Sequence, residues 1–312
     1  MRRYTFPFSL IFLFFLMLSF PQAVFHGASE GLLLWFQIVL PTLLPFVVLS
    51  NLLIHTNSIS VLSRTLGPFF QKIFCTSSQG SFAVLAGFLC GYPVGAKVTS
   101  ELLLAERITK QEGRYLLSFC NNTSPMFIVS YIVWQTLKDS TLLFPTVFIL
   151  FFSPILCSFF FRNIQKKKSQ EKTAPVNTQY LSIRFNFELF DVCIMDGFET
   201  ITKIGGYIIL FSILVSLFQL LPVQSAFFQS ILLPMLEITN GIPMLAKSAL
   251  SDAQKYILIL SLTSFGGWCS IAQTKSIIQH CGLPIAPYIL EKLATALVTS
   301  FLAFLYIIFI HP

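Results

Sequence analysis

Long apolar segments follow one another along the whole chain, and several are long enough to cross a membrane as a helix. A spanning helix needs about 20 predominantly apolar residues. Five segments meet this requirement without a strong interruption, and they are residues 6–24, 32–53, 141–161, 204–221 and 290–310. This pattern predicts an all-α, polytopic membrane protein.

Three further apolar stretches are interrupted, so none of them can face lipid along its whole length. Residues 81–95 contain several glycines and Pro93, residues 256–265 end at a Gly-Gly pair, and residues 116–137 enclose a polar run. Irregular backbone at membrane depth is tolerated only where it is buried in protein or lines a cavity. We therefore expect broken or re-entrant helical hairpins in the protein interior.

The two halves of the chain resemble each other. Residues 31–68 match residues 197–234 at a constant offset, since both begin with glycine and a long apolar helix and both reach a proline at the same place. Each half then continues with a glycine-broken hairpin and another long helix. The sequence predicts two repeats, and chance similarity between apolar segments is the alternative.

Charge then fixes the predicted topology. Only 11% of the residues are charged and 55% are hydrophobic, whereas a soluble domain carries about 25% charged residues. Much of the net charge of +7 lies in the segment 162–184. A basic segment beside a spanning helix indicates the cytoplasmic side, which we favour over anion or lipid-headgroup binding and over a nucleic-acid partner. With this segment inside, the two repeats are inverted relative to each other.

These observations predict four regions. They are an N-terminal transmembrane anchor (1–30), a first gate repeat (31–161), a basic cytoplasmic linker (162–200) and a second gate repeat (201–312). A cleaved signal peptide is the alternative for the first region. Inverted repeats with paired broken segments are typical of secondary transporters, whose substrate site lies near the midplane between the repeats.

The glycine-rich run before Lys97 is one candidate site. Gly91 and Gly95 allow a sharp turn and a close approach of backbone to a ligand. A helix that begins near Gly95 would offer free N–H groups to an anion, with Tyr92 and Lys97 beside it. The alternatives are a hairpin that serves packing alone and an ion pair of Lys97 with Glu101 one turn further on.

The polar run before Pro125 is the second candidate. Pro125 removes a helical N–H and leaves Asn121, Asn122 and Ser124 beside an opened helix. Burying such groups without partners costs about 1–3 kcal/mol each, so the facing hairpins, water or a solute must satisfy them. A purely structural network is the alternative. In the second half Gly266, Gly267 and Gln273 are the corresponding candidates.

No catalytic triad, carboxylate pair or metal-ligand cluster stands out in the sequence. The seven cysteines include no C-x-x-C pair. We therefore expect neither an enzyme nor a bound metal or cofactor.

Several motifs resemble those of the YlbJ-type sporulation integral membrane proteins. The resemblance is carried by Gly87-Phe-x-x-Gly91-Tyr-Pro-x-Gly95-Ala-Lys97, Ile108-Thr-x-x-Glu112-Gly, Leu117-Ser-Phe-x-Asn121-x-x-Ser124-Pro125, Leu236-Glu237-Ile-Thr-x-Gly241 and Phe265-Gly266-Gly267-Trp-x-x-x-Ala272-Gln273. This family carries the gate, or nucleoside-recognition, domain that is also found in concentrative nucleoside carriers and ferrous-iron permeases. The resemblance implies a similar fold and a role in endospore formation.

The resemblance also implies a substrate. It points to movement of dipicolinate, a small planar dianion, across the outer forespore membrane of a bacterium. The residues alone indicate a carrier of a small polar solute in the lipid bilayer, with a homo-oligomer as a possible assembly. A non-transporting membrane scaffold of the spore envelope and a nucleoside-type carrier are the competing hypotheses.

The inverted topology is open to a direct test. Labelling of single cysteines with a membrane-impermeant reagent should place positions 72 and 168 on the cytoplasmic side and positions 138 and 227 on the opposite side. If positions 72 and 227 are labelled from the same side, the repeats are not inverted.

Overall fold

The computed structural model describes residues 2–56, 58, 67–168, 186–223, 225 and 227–309, and within them every regular element is a helix. In chain order the α-helices are α1 (Arg2–Ser19), α2 (Pro21–Leu34), α3 (Leu40–His55), α4 (Gly67–Phe74), α5 (Ser78–Cys90), α6 (Val94–Leu104), α7 (Lys110–Cys120), α8 (Leu143–Lys168), α9 (Phe187–Gln219), α10 (Ile238–Ala246), α11 (Asp252–Phe265), α12 (Gly267–Ile278) and α13 (Ile285–Phe309). Three π-helical segments lie between them, at Trp35–Val39, Phe127–Leu137 and Phe228–Leu232.

Five helical segments of the described residues are long and apolar enough to cross a membrane. They are Pro21–Leu53, Ser140–Asn163, Phe187–Gln219, Asp252–Cys281 and Ile285–Phe309. The pair formed by α4 and α5 also meets the criterion, but it is bent by 92° at the junction. The all-α, polytopic architecture that the apolar pattern predicts is therefore confirmed.

The first predicted span, residues 6–24, is wrong as a continuous helix. The chain leaves helical geometry at Phe20, whose φ of −126° and ψ of 57° separate α1 from α2. Pro21 opens α2 because its fixed φ suits the first helical position and its missing N–H has no partner there. The apolar part of α1, Pro7–Ser19, is shorter than the about 20 residues of a straight span, and residues 21–24 belong to the next span.

The helices extend into the predicted linker from both sides. Helix α8 continues to Lys168, and α9 begins at Phe187. Residues 187–200 are therefore the first turns of a 33-residue helix. Residues 169–185 lie outside the described residues. The predicted boundary between residues 30 and 31 falls inside α2.

The breaks lie where the sequence predicts them, but the two halves use them differently. In the first half α5 ends at Cys90 and α6 begins at Val94, and the two helices fold back so that Gly87 and Gly95 contact each other. In the second half Gly266 (φ 87°) alone separates α11 from α12. Both helices belong to one 30-residue span. The hairpin expected here is a broken helix, because two consecutive glycines with positive φ, Gly266 and Gly267 (φ 76°), interrupt the helix within one span.

The longest helical contact joins α2 and α3 to α9 in antiparallel fashion. Gly31 packs against Ser212, and Gly197 packs against Val48. Small residues let helix backbones approach closely, which drives association in lipid. The two glycines are equivalent residues of the predicted repeats, and each packs on the opposite partner. This reciprocal arrangement supports inverted repeats, for which the labelling of positions 72 and 227 remains the test.

Two adjacent glycines of α9 allow a matched test of this contact. A Cβ at Gly205 would lie 2.6–2.8 Å from the indole of Trp35, whereas a Cβ at Gly206 has nothing within 4 Å. The Trp35 indole N–H also donates to the Ile201 carbonyl at 2.9 Å, so the ring cannot move without losing a hydrogen bond. We expect Gly205→Ala to destabilise the protein by about 1–3 kcal/mol through overpacking. Gly206→Ala should be neutral or stabilising, since alanine favours the helix. Thermal unfolding in detergent measures both, and equal melting temperatures would contradict the packing described.

Candidate functional site

The glycine-rich turn between α5 and α6 docks on the polar break that follows α7. Gly91 packs against Ser124, and the Tyr92 N–H donates to the Asn122 carbonyl at 2.5 Å. The Ala96 N–H donates to Oδ1 of Asn121 at 3.3 Å. The two candidate motifs of the first half therefore form one structural unit.

Asn121 joins this unit to the second half of the chain. Its Nδ2 donates to Oγ1 of Thr274 at 3.0 Å and to the Tyr288 hydroxyl at 2.7 Å, while its Oδ1 accepts from Ala96. The residue is only 1% exposed. Because both ends of the amide are already bonded, Asn121 holds α6, α12 and α13 together in this conformation.

Lys292 is a residue of this network that the sequence analysis did not weigh. It is 2% exposed on α13, and its Nζ donates to the Asn121 carbonyl at 3.1 Å and to Oδ1 of Asn122 at 3.4 Å. The Asn121 carbonyl has no helical donor, because Pro125, four residues later, lacks an N–H. A charged residue inside a membrane span marks a polar interior, and a lysine within the apolar segment 290–310 is the signal that could have revealed it.

The N–H groups at the helix N-termini beside the breaks are hydrogen-bonded within the protein. Each N–H group of the first turn of α6 donates to an acceptor within the protein. Val94 and Gly95 donate to the Gly91 carbonyl. Ala96 donates to Oδ1 of Asn121, and Lys97 donates to the Pro93 carbonyl. At α12 the N–H groups of Trp268 and Cys269 donate to the carbonyls of Met235 and Leu236 at 2.8 and 2.9 Å. In this conformation the predicted anion site at the start of α6 therefore has no free N–H group.

A small cavity of about 50 Å³ lies between the breaks of the two halves. We call it the central cavity. Its polar lining comes from Tyr92, Thr123 and Ser124 of the first half and from Glu237, Ser270 and Gln273 of the second half. Apolar side chains of the π-helix after α2, of α3 and of α9 complete the wall, among them Val39, Leu43, Ile204 and Ile208. The cavity thus combines hydroxyl groups with a single carboxyl group.

Glu237 is the charged residue of the central cavity. It is 2% exposed and caps the N-terminus of α10. Its oxygens accept the N–H groups of Thr239 and Asn240 at 3.1 and 2.9 Å, the Thr239 hydroxyl and the Asn240 amide. None of the ion pairs within the described residues involves Glu237. The helix N-terminus and these donors stabilise the carboxylate.

A larger polar cavity of about 260 Å³ adjoins the central one, and we call it the vestibule. Lys97 lies in it, and its Nζ is 2.7 Å from Oδ2 of Asp196, 3.0 Å from Oγ1 of Thr200 and 3.8 Å from Glu101. Asn51 also donates to Oδ2 of Asp196 at 2.7 Å. The expected pair with Glu101 is present, but the nearest partner of Lys97 is Asp196.

The two cavities meet along α9 and α12. On α9 the vestibule is lined by Asp196 and Thr200 and the central cavity by Ile208, while Ile204 lines both. On α12 Ser270 lines the central cavity and Ser276 the vestibule, and Gln273 lines both. The two cavities therefore adjoin each other at Ile204 and Gln273, and we call this point the constriction.

Comparison with known proteins agrees with this architecture. A family model described as Gate, nucleoside recognition, matches residues 36–155, which contain both motifs of the first half. The sporulation integral membrane protein YlbJ of Bacillus subtilis (strain 168) is 28% identical over 315 aligned positions, which cover 91% of this chain and 77% of that protein. The chain is a multi-pass membrane protein that is similar to YlbJ over most of its length and matches the Gate family model at residues 36–155. No solved structure matches it.

The predicted site residues of this YlbJ-like protein fall into three groups. Those that line the central cavity are Tyr92, Ser124, Gly266 and Gln273. Those that line the vestibule are Lys97 and, again, Gln273. Those that lie in the contacts between helices, outside the lining of both cavities, are Gly91, Gly95, Asn121, Asn122 and Gly267. Substrate binding by any of them remains a prediction.

The Asn121 network generates a stability prediction. Asn121→Ala leaves the Ala96 N–H without its acceptor and removes the hydrogen bonds that the Thr274 and Tyr288 hydroxyls accept. An unsatisfied buried group costs about 1–3 kcal/mol. We expect a clear fall in the melting temperature of the purified protein. Tyr288→Phe removes one of these bonds and should have a smaller effect. A melting temperature of Asn121→Ala equal to that of the wild type would show that the amide is not structural.

Proposed function

We propose that this protein is a carrier of a small organic anion, with dipicolinate as the first candidate, in the outer forespore membrane of a sporulating bacterium. The observation that carries the proposal is the pair of adjoining cavities, the vestibule and the central cavity, between the two halves. A substrate site at the interface of two halves with broken helices is what alternating access requires. A membrane scaffold needs no such cavities.

Lys97 is the residue that binds the anion in this proposal. Its ammonium group is bound by Asp196 and Thr200 at the wall of the vestibule, and a substrate carboxylate can replace the Asp196 carboxylate there. The exchange keeps Lys97 paired throughout. The released Asp196 carboxylate keeps its hydrogen bond from Asn51, and its side chain is 43% exposed. The relationship to a sporulation protein supports dipicolinate as the anion.

A nucleoside-type solute is the second candidate, and the central cavity is the observation that favours it. The cavity offers hydroxyls and the Glu237 carboxyl group, while Lys97 lines the vestibule. An uncharged solute with several hydroxyl groups is well matched to such donors and acceptors. The description of the matching family model as nucleoside recognition agrees with this alternative.

Transport in proteoliposomes separates the two candidates. The purified protein should take up labelled dipicolinate in a saturable manner, and excess unlabelled dipicolinate should compete while uridine does not. Saturable uridine uptake without dipicolinate uptake would replace the proposed substrate by a nucleoside. Uptake of neither solute, by protein that is folded and inserted, would contradict both candidates.

Two lysines of the vestibule provide a matched pair for the anion site. Lys97→Gln should raise the KM for dipicolinate at least tenfold, which corresponds to about 1.4 kcal/mol. Lys203→Gln is the control, because Lys203 lines the same cavity but is an exposed residue paired with Glu199. Asp196→Asn should lower KM, since it removes the carboxylate that competes for Lys97. An unchanged KM in Lys97→Gln would exclude Lys97 from the binding site.

A further inference from the structure

Two side chains, those of Ile204 and Gln273, are shared by the linings of the two cavities. On α12 the lining changes from Ser270 in the central cavity to Ser276 in the vestibule, with Gln273 on both sides. On α9 Ile204 occupies the same position opposite Gln273. One residue of α9 and one of α12 therefore mark the point where the two cavities adjoin.

The bond that holds Gln273 in place is weak. Its side chain is 5% exposed, and its Nε2 donates to the thiol sulfur of Cys269 at 3.2 Å. A thiol sulfur is a weak acceptor, so the amide loses little when it leaves this position. The closing side chain is thus able to move without breaking a strong interaction.

We propose that Gln273, together with Ile204, forms the gate between the vestibule and the central cavity. This inference rests on the proposed function insofar as a gate presupposes a passing solute, but the closure itself is a property of the empty protein. The gate acts by the bulk of the two side chains. Removing that bulk joins the two cavities and exposes the groups of the central cavity to solutes in the vestibule.

Cys269 is a native reporter of this closure, because it lines the central cavity and is 2% exposed. The purified full-length protein in detergent is treated with a small cationic methanethiosulfonate, and mass spectrometry follows the modification of the peptide that contains Cys269. Gln273→Ala should accelerate modification of Cys269 at least tenfold. Gln273→Leu keeps the bulk but loses the hydrogen bond to the thiol, so its rate should equal that of the wild type.

Two further variants act as controls. Gln279 lines the vestibule but not the central cavity. Gln279→Ala should therefore leave the rate of Cys269 modification unchanged. A cysteine at Ser276, on the vestibule side, should react rapidly in both the wild-type and the Gln273→Ala background. Cys120 is fully buried between α5, α6 and α7, and its continued protection shows that a variant is folded. Ile204→Ala opens the opposite wall and should accelerate Cys269 as well.

Three results would overturn the proposal. The first is a Cys269 rate in the wild type as high as that of Ser276→Cys. The second is equal acceleration in Gln273→Leu and Gln273→Ala, which would assign the effect to the lost hydrogen bond. The third is an unchanged Cys269 rate in every opened variant that keeps Cys120 protected. Accelerated labelling without dipicolinate transport would leave the gate in place and reject the proposed substrate.

Discussion

The structure depends on how the interrupted helix after Cys120 satisfies its backbone and side chains away from water. In a bilayer an unpaired N–H or carbonyl group costs several kcal/mol, so a helix can be opened only where protein supplies partners. The Asn121 side chain accepts the Ala96 N–H at the start of α6, and the Lys292 ammonium group donates to the Asn121 carbonyl. The halves of the chain are thereby joined at their most polar point, and the central cavity forms beside this junction.

The antiparallel contact of α2 and α3 with α9 supplies the frame around this junction. Gly31 approaches Ser212 closely in this contact, and the larger side chains of Trp35 and Val48 pack on Gly205 and Gly197, so small residues and apolar side chains both stabilise it. Helix α9 then carries Asp196, Ile204 and Ile208 along the path from the vestibule to the central cavity. Helix α9 therefore both packs against the first half and lines the two cavities. The position of the constriction thus depends on how the two halves pack together.

Local signals were enough to predict much of this arrangement. Apolar length predicted four of the five spans of the described residues, all but Asp252–Cys281. Proline, glycine and asparagine predicted the breaks near Gly91, Asn121 and Gly266. The partners of the site residues could not be predicted, because pairs such as Lys97 with Asp196 join residues 99 positions apart. From the sequence the expected partner of Lys97 is Glu101, because Glu101 lies one helical turn away. Whether a polar residue such as Asn121 meets solute or protein is decided by tertiary packing alone.

The charges along the path have a consequence for the energetics of entry. The vestibule presents Glu101, Asp196 and Glu199 against Lys97 and Lys203, and Glu237 lies beyond the constriction. Three carboxyl groups against two ammonium groups give this lining no excess of positive charge, so the lining does not act as an electrostatic funnel for anions. Capture of an anion then rests on a short-range exchange of partners at one ammonium group.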